Sequence, residues 1–133
     1  MDLAVQIFKL MGIVREDKEK RAQWLERGFR FFDAPAAIIL SIDSSVPESL
    51  ALIDVGAFCQ SICLAALGHG LGTCIEDQGT AFPDVIRRLT GIPQSKHIVI
   101  SIAIGYPDRD FPANKVESGR ENVDKFTTWC GFS

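Results

Sequence analysis

Leu3, Ile7, Leu10 and Met11 recur at helical spacing and close near Gly12, which predicts a first short helix over residues 3–11. Residues 15–31 are rich in charge but keep Trp24, Leu25, Phe29 and Phe32 on or near one side, the pattern of an amphipathic helix. Asp33-Ala34-Pro35 stops it, because a residue before proline is pushed away from helical dihedrals. Ala36 to Ile42 is a short, continuously apolar run and predicts a strand covered on both faces. Asp43-Ser44 reads as a turn, and Ser45-Val46-Pro47-Glu48 as a capping box. That box opens an almost uncharged helix from Leu50 to Leu67, apolar on every side and therefore expected to be buried.

The helix runs into Gly68-His69-Gly70-Leu71-Gly72-Thr73-Cys74-Ile75-Glu76-Asp77-Gln78-Gly79, read as a glycine-rich loop. Such a break at the edge of a hydrophobic core exposes backbone N–H groups and suits a planar, partly apolar cofactor. Ala81 to Leu89 predicts another short helix, ended by Thr90-Gly91-Ile92-Pro93. His97 to Ile104 is a second buried strand, rich in β-branched residues, and Gly105-Tyr106-Pro107 ends it. Asp108 to Ser133 is polar and punctuated by Pro and Gly. It reads as an extended arm with Phe126, Trp129 and Phe132 as anchors. Two strands make a poor sheet unless others join them from a partner or another part of the protein.

The 133 residues fit a single domain, 1–133, and 47% hydrophobic with 23% charged content is enough to build a core without disulfides. A net charge of −3 and a pI near 5.3 argue against nucleic acid as a partner, since nothing drives counterion release. The segment around Phe8 to Met11 lacks the basic start, sustained apolar run and cleavage site of a signal peptide. Leu50 to Leu67 has the length of a membrane span, but Asp54, Gln60 and Ser61 inside it favour a soluble helix and no membrane. Four scattered cysteines without an export signal point to reduced thiols in a cytoplasmic protein.

Cys59 and Cys63 lie one turn apart in the apolar helix, and packing accounts for them better than metal binding. Cys74 is the one candidate for a reactive thiol. His69, between two glycines, reads as solvent-facing at a helix end, and His97 opens a strand without an obvious partner. The Gly68, Gly70, Gly72 spacing is no dinucleotide fingerprint, because these glycines follow a helix and not a strand. Arg120, in Glu117-Ser118-Gly119-Arg120, offers the planar donor fork that suits phosphate.

Taken together, several blocks resemble the nitroreductase family of FMN-dependent oxidoreductases. These are Phe31-Phe32-Asp33-Ala34-Pro35, then Asp54-x-Gly56-Ala57-x-x-Gln60-x-x-x-Leu64-Ala65-Ala66-x-x-x-Gly70-Leu71-Gly72-Thr73, then Gly91-Ile92-Pro93, then Ile104-Gly105-Tyr106-Pro107, then Gly119-Arg120 with Trp129. The resemblance implies an α+β fold, a small mostly antiparallel sheet flanked by helices, in a homodimer with FMN at the subunit interface. The long helix would lie at the dimer interface and the 108–133 arm would wrap the partner. NAD(P)H would reduce the flavin, which would then reduce a nitroaromatic, quinone or similar small acceptor. Cys74, Ile75, Glu76 and Asp77 would lie against the isoalloxazine, with the backbone N–H of Glu76 or Asp77 near flavin N5. Arg120 would hold the phosphate, with Lys115 as its neighbour, while the flavin itself carries the chemistry and no side chain is assigned as catalytic.

Family members begin with an Arg-Arg-Ser-x-Arg type motif that holds the FMN phosphate, and nothing in Met1 to Arg30 resembles it. The chain therefore matches the back part of the family, as a member truncated at its N-terminus. A second reading, from a different class, is a dimeric interaction or small-ligand-binding module that works without FMN.

Overall fold

The computed structural model describes residues 3–131, so Phe132, one of the three expected anchors, lies outside the described residues. Two compact units result, Arg15–Asp108 and a smaller one made of Met1–Val14 with Arg109–Ser133. The smaller unit holds helix α1 (Leu3–Leu10), the buried Ile13 and two 3₁₀ turns, Pro112–Lys115 and Val123–Lys125. Within it Asn122 caps the second turn by accepting from Asp124 N–H at 3.1 Å, and Trp129 Nε1 donates to Asp124 at 3.2 Å.

The larger unit is built on three antiparallel strands: β1 (Ala36–Asp43), β2 (Gly72–Glu76) and β3 (Lys96–Gly105), in the order β1-β3-β2. β2 falls where the sequence reads as a glycine loop. Pairing from Gly72 opposite Gly105 to Glu76 opposite Ser101 supplies the backbone partners that make five ordinary residues a strand. The sheet therefore has the third strand that independent stability requires. β3 is central, and Ser101, Ile102 and Ala103 are consecutively buried, so both its faces are covered as expected. β1 is an edge strand and only half-buried, which corrects the expectation of cover on both faces. A bulge between Leu40 and Ser41 leaves Val99 of β3 outside the pairing.

Helix α2 (Lys18–Phe29) starts later than its charged pattern suggests, because the Asp17 carboxylate caps it by accepting from Lys20 N–H at 2.9 Å. After it, Phe31, Phe32 and Asp33 all adopt left-handed dihedrals, with φ of 53°, 55° and 61°. Each such residue costs roughly 1–2 kcal/mol when it carries a Cβ. Arg30 Nε donates to Asp33 at 3.0 Å, Arg27 pairs with the same carboxylate at 3.2 Å, and the Phe32 ring rests 6.4 Å from Trp24. The Arg30 hydrogen bond, then the charges of Arg30 and Arg27, hold the Asp33 carboxyl below its ordinary value. The unfolded chain thus binds this proton first as pH falls, so the stabilisation is present above about pH 3.9 and lost below it. Acidification through that window is expected to loosen the turn before the sheet, as a change in Trp24 fluorescence that precedes loss of the far-ultraviolet signal.

Helix α3 (Glu48–Gly68) follows β1 and contacts both β1 and β2. The capping box does not form. Pro47 occupies the cap position without a side-chain bond, while the Ser45 N–H and hydroxyl both donate to Asp43, and Ser44 Oγ donates to Ser95 O. These bonds spend both serines on the β1 turn. The expectation of a buried helix is also corrected, since only Ala51, Cys59 and Ala66 of α3 are buried. By length and composition alone α3 could cross a membrane. Gly70, at φ 72°, turns the chain out of α3 in a conformation that favours glycine. Helix α4 (Pro83–Thr90) ends on Gly91, which is likewise left-handed, and Arg87 reaches past it to donate to Pro93 O and Lys96 O.

Candidate functional site

The C-terminal end of β2 and the 3₁₀ turn Gln78–Thr80 form the most constrained corner of the larger unit. Glu76 stands directly opposite Ser101 in the register, so their side chains share one face of the sheet. Ser101 is wholly enclosed and Glu76 is 8% exposed. Ser101 Oγ lies 2.6 Å from Glu76 Oε1, and Gly79 N–H donates to Glu76 Oε2 at 2.8 Å. No Cβ fits at Gly79, because one would press into the Phe31 ring and stand 2.5 Å from Glu76 Oε1. The left-handed turn thereby delivers Phe31 onto this corner. Gln78 anchors it from the other side, donating to Leu25 O at 3.3 Å across the space that a side chain at Gly28 would need. Gly28 is the penultimate residue of α2, and the Gln78 side chain is what occupies the space of its missing Cβ.

Alternation along β2 divides the predicted residues. Cys74 and Glu76 fall on one face and Ile75 on the other, so the four cannot all turn side chains toward one ligand. The Glu76 side chain is turned into the protein. Ile75 is exposed, and so is Asp77, whose carbonyl accepts from Thr80 N–H and Thr80 Oγ1. What the stretch offers a ligand is backbone: β2 is an edge strand, and along its outer side the main-chain groups have no strand partner among the described residues. The residue Cys74 is exposed overall, yet its thiol is pushed up, by partial burial first and then by Glu76 and Cys63. That disfavours a thiolate nucleophile. His69 caps the end of α3 and is exposed, and His97 is exposed opposite Ile42.

Arg120 and Lys115 belong to the smaller unit. Arg120 Nη1 donates to Ser118 O at 3.2 Å, to Gly119 O at 3.1 Å and to Ser118 Oγ. All three acceptors are neutral. Lys115 ends the Pro112–Lys115 turn and is exposed. Among the described residues neither cation has a carboxylate partner, unlike Lys20, Arg27, Arg30 and Lys125.

The model of the Nitroreductase family matches residues 6–106. The chain belongs to the nitroreductase family. It is 34% identical over 124 residues to the nitrobenzene nitroreductase of Ectopseudomonas oleovorans, covering 93% of this chain and 54% of that one. It is 33% identical over 121 residues to a 4-nitrobenzoate reductase of Nocardioides sp. (strain LMS-CY), covering 91% of this chain and 49% of the relative. Among solved structures, the FMN and NADPH-dependent nitroreductase NfnB from sphigopyxis sp. strain HMH superposes with a TM-score of 0.87 at 27% identity, over 98% of this chain and 58% of that one. The chain spans about half the length of the curated relatives it matches. The α+β class expected from the resemblance is the fold of this nitroreductase-family chain: four helices and a three-stranded antiparallel sheet among the described residues.

Sequence reasoning did not reach Ser101, Gly79 or Phe31 as parts of this corner. Ser101 carried a signal: after His97 it is the sole polar residue in an otherwise apolar strand. A hydroxyl in such a run needs a buried partner. Gly79 and Phe31 carried none, because 48 residues separate them and only the fold brings them together.

Proposed function

We propose that this chain serves an FMN-dependent oxidoreductase of nitroreductase type, with NAD(P)H as reductant and a nitroaromatic, quinone or similar small aromatic as acceptor. The observation that carries the reading is the family match over residues 6–106, joined to relatives named for nitrobenzene and 4-nitrobenzoate. Bound FMN would supply the redox chemistry by accepting a hydride and passing electrons on. The ring-facing element is the backbone of Cys74, Ile75, Glu76 and Asp77, with the N–H of Glu76 or Asp77 as the donor toward N5. The open edge of β2 supports this, because unpartnered main-chain donors suit a planar heterocycle. Arg120 is the phosphate ligand, aided by Lys115. Their charges meet no carboxylate among the described residues, and Arg120 holds only neutral oxygens that an anion can displace. The four free cysteines are in keeping with a cytoplasmic setting.

The same reading makes the molecule a homodimer joined along α3. Leu50, Ile53, Ala57, Gln60, Leu64 and Leu67 form a stripe at steps of three and four, and all six are exposed. Leu50, Ile53, Leu64 and Leu67 are 63%, 68%, 59% and 67% exposed. The stripe reads the same from either end. An antiparallel copy therefore sets Leu50 against Leu67, Ile53 against Leu64 and Ala57 against Gln60. A twofold interface needs this self-complementarity. Lipid is a poorer cover, since Asp54 in a bilayer costs roughly 2.5–3.5 kcal/mol. The 108–133 arm, with Phe126 and Trp129 exposed, is the segment that wraps the partner.

Purified protein titrated with FMN is expected to quench flavin fluorescence and to shift the flavin absorbance. A colourless protein that leaves both unchanged would favour the cofactor-free binding module instead. Arg120→Ala removes a charged hydrogen-bonding group worth about 1.5–3 kcal/mol. The dissociation constant for FMN is thus expected to rise by roughly 10- to 100-fold, without loss of fold. Superimposable titrations of variant and parent would take Arg120 out of the site.

A further inference from the structure

Ser101 sits on the central strand β3 with no exposure to solvent. Its hydroxyl donates both to the Glu76 carbonyl oxygen at 2.8 Å and to Glu76 Oε1 at 2.6 Å, a three-centre bond. The carbonyl contact fixes the Glu76–Asp77 peptide, which is trans. In a trans peptide the N–H points opposite to the C=O, so a carbonyl turned in toward Ser101 turns the Asp77 N–H out. The Glu76 N–H goes the other way. Within a strand a residue's N–H and C=O share one side, and the Glu76 carbonyl lies on the side of its register partner, Ser101. The Asp77 N–H thus faces the outer side of β2, where no strand lies among the described residues.

The next peptide is held as well. Asp77 O accepts from Thr80 N–H at 2.9 Å and from Thr80 Oγ1 at 2.8 Å. Those bonds are local to the 3₁₀ turn, whereas Ser101 stands 25 residues further along the chain, between Ile100 and the fully enclosed Ile102. The hydroxyl therefore ties one outward-facing backbone donor to the position of the central strand.

We propose that Ser101 is a positioning residue, whose hydroxyl sets the Glu76–Asp77 peptide so that the Asp77 N–H, and not that of Glu76, is the donor presented to a ligand. On the flavin reading, on which this role rests, the donor faces N5. A fixed donor there favours the reduced ring, because electron density gathers on that atom and no reorganisation is needed to meet it.

Ser101→Ala removes the hydroxyl and leaves the peptide free to turn. In the flavin-free protein the ¹⁵N order parameter of the Asp77 amide is expected to fall from about 0.85 toward about 0.6. In the FMN-loaded protein the preference for reduced over oxidised flavin is expected to drop by roughly tenfold, a midpoint potential lower by about 30 mV. A merely structural role would lower the unfolding midpoint and leave both of these where they are. An unmoved order parameter, or an unchanged potential in a variant that binds FMN, overturns the proposal. If Ser101→Ala does not fold, Ser101→Cys keeps the side chain's shape with a weak donor, and the same two outcomes apply. A parent that binds no FMN sinks the flavin reading, and the order parameter still decides whether Ser101 sets the peptide.

Discussion

Leu64→Glu is expected to turn a dimer into a monomer without unfolding the chain. In the proposed antiparallel pairing of α3, Leu64 would meet Ile53 of a second copy, and the twofold axis would repeat the contact. Each substitution is therefore felt twice. Two leucine side chains lose burial worth about 1.5–3 kcal/mol apiece, which alone weakens association by roughly 10²- to 10⁴-fold. Two carboxylates brought into an apolar seam add desolvation to that cost. Within one chain Leu64 is 59% exposed, so the fold itself has little to lose. Sedimentation equilibrium over a hundredfold range of concentration reads the effect. A variant that associates as tightly as the parent would remove α3 from the interface.

Gly79→Ala is expected to be among the most destabilising single-methyl additions available in this chain. The new Cβ meets the Phe31 ring and stands 2.5 Å from Glu76 Oε1. Neither neighbour can yield freely. Phe31 belongs to a turn already in left-handed dihedrals, and the Glu76 carboxyl is bound to Ser101 and Gly79. Overpacking of this kind costs about 1–3 kcal/mol. Displacing the carboxyl leaves buried groups unmatched at about 1–3 kcal/mol more. A loss of about 3 kcal/mol, or roughly 10 °C in midpoint, is the outcome to look for by thermal and denaturant unfolding. Gly68→Ala serves as the comparison, because its Cβ meets nothing within 4 Å, and it should stay within about 0.5 kcal/mol of the parent. Equal stabilities for the two variants would mean that the corner is softer than its contacts indicate.

Local patterns explain how much of this was legible. The four helices and the strands β1 and β3 follow from periodicity, glycine stops and β-branched runs, within a few residues at their ends. β2 was hidden because Gly72, Thr73, Cys74, Ile75 and Glu76 have neither length nor strong strand preference, and their pairing partners lie some 25 to 33 residues further on. The Ser45-to-Glu48 box failed for a related reason. Its serines had better partners in Asp43 and Ser95, and Ser95 is 51 residues away from Ser44. The left-handed run at Phe31, Phe32 and Asp33 had no signal at all, since non-glycine residues adopt it only when surrounding contacts insist.

By itself the sequence determined the family, the α+β class and the location of the glycine-marked stretch at residues 68–79, because spacing and residue type along the chain carry that information. It also determined that the long helix is apolar on every side. Only the tertiary structure decided that the stretch contains an edge strand, that the Glu76 side chain turns inward to Ser101 while its backbone lies at the open edge, and that most of α3 is uncovered within one chain. Those outcomes depend on hydrogen-bond partners and contacts distant in sequence. A residue's own neighbours along the chain cannot say which face another element will leave free.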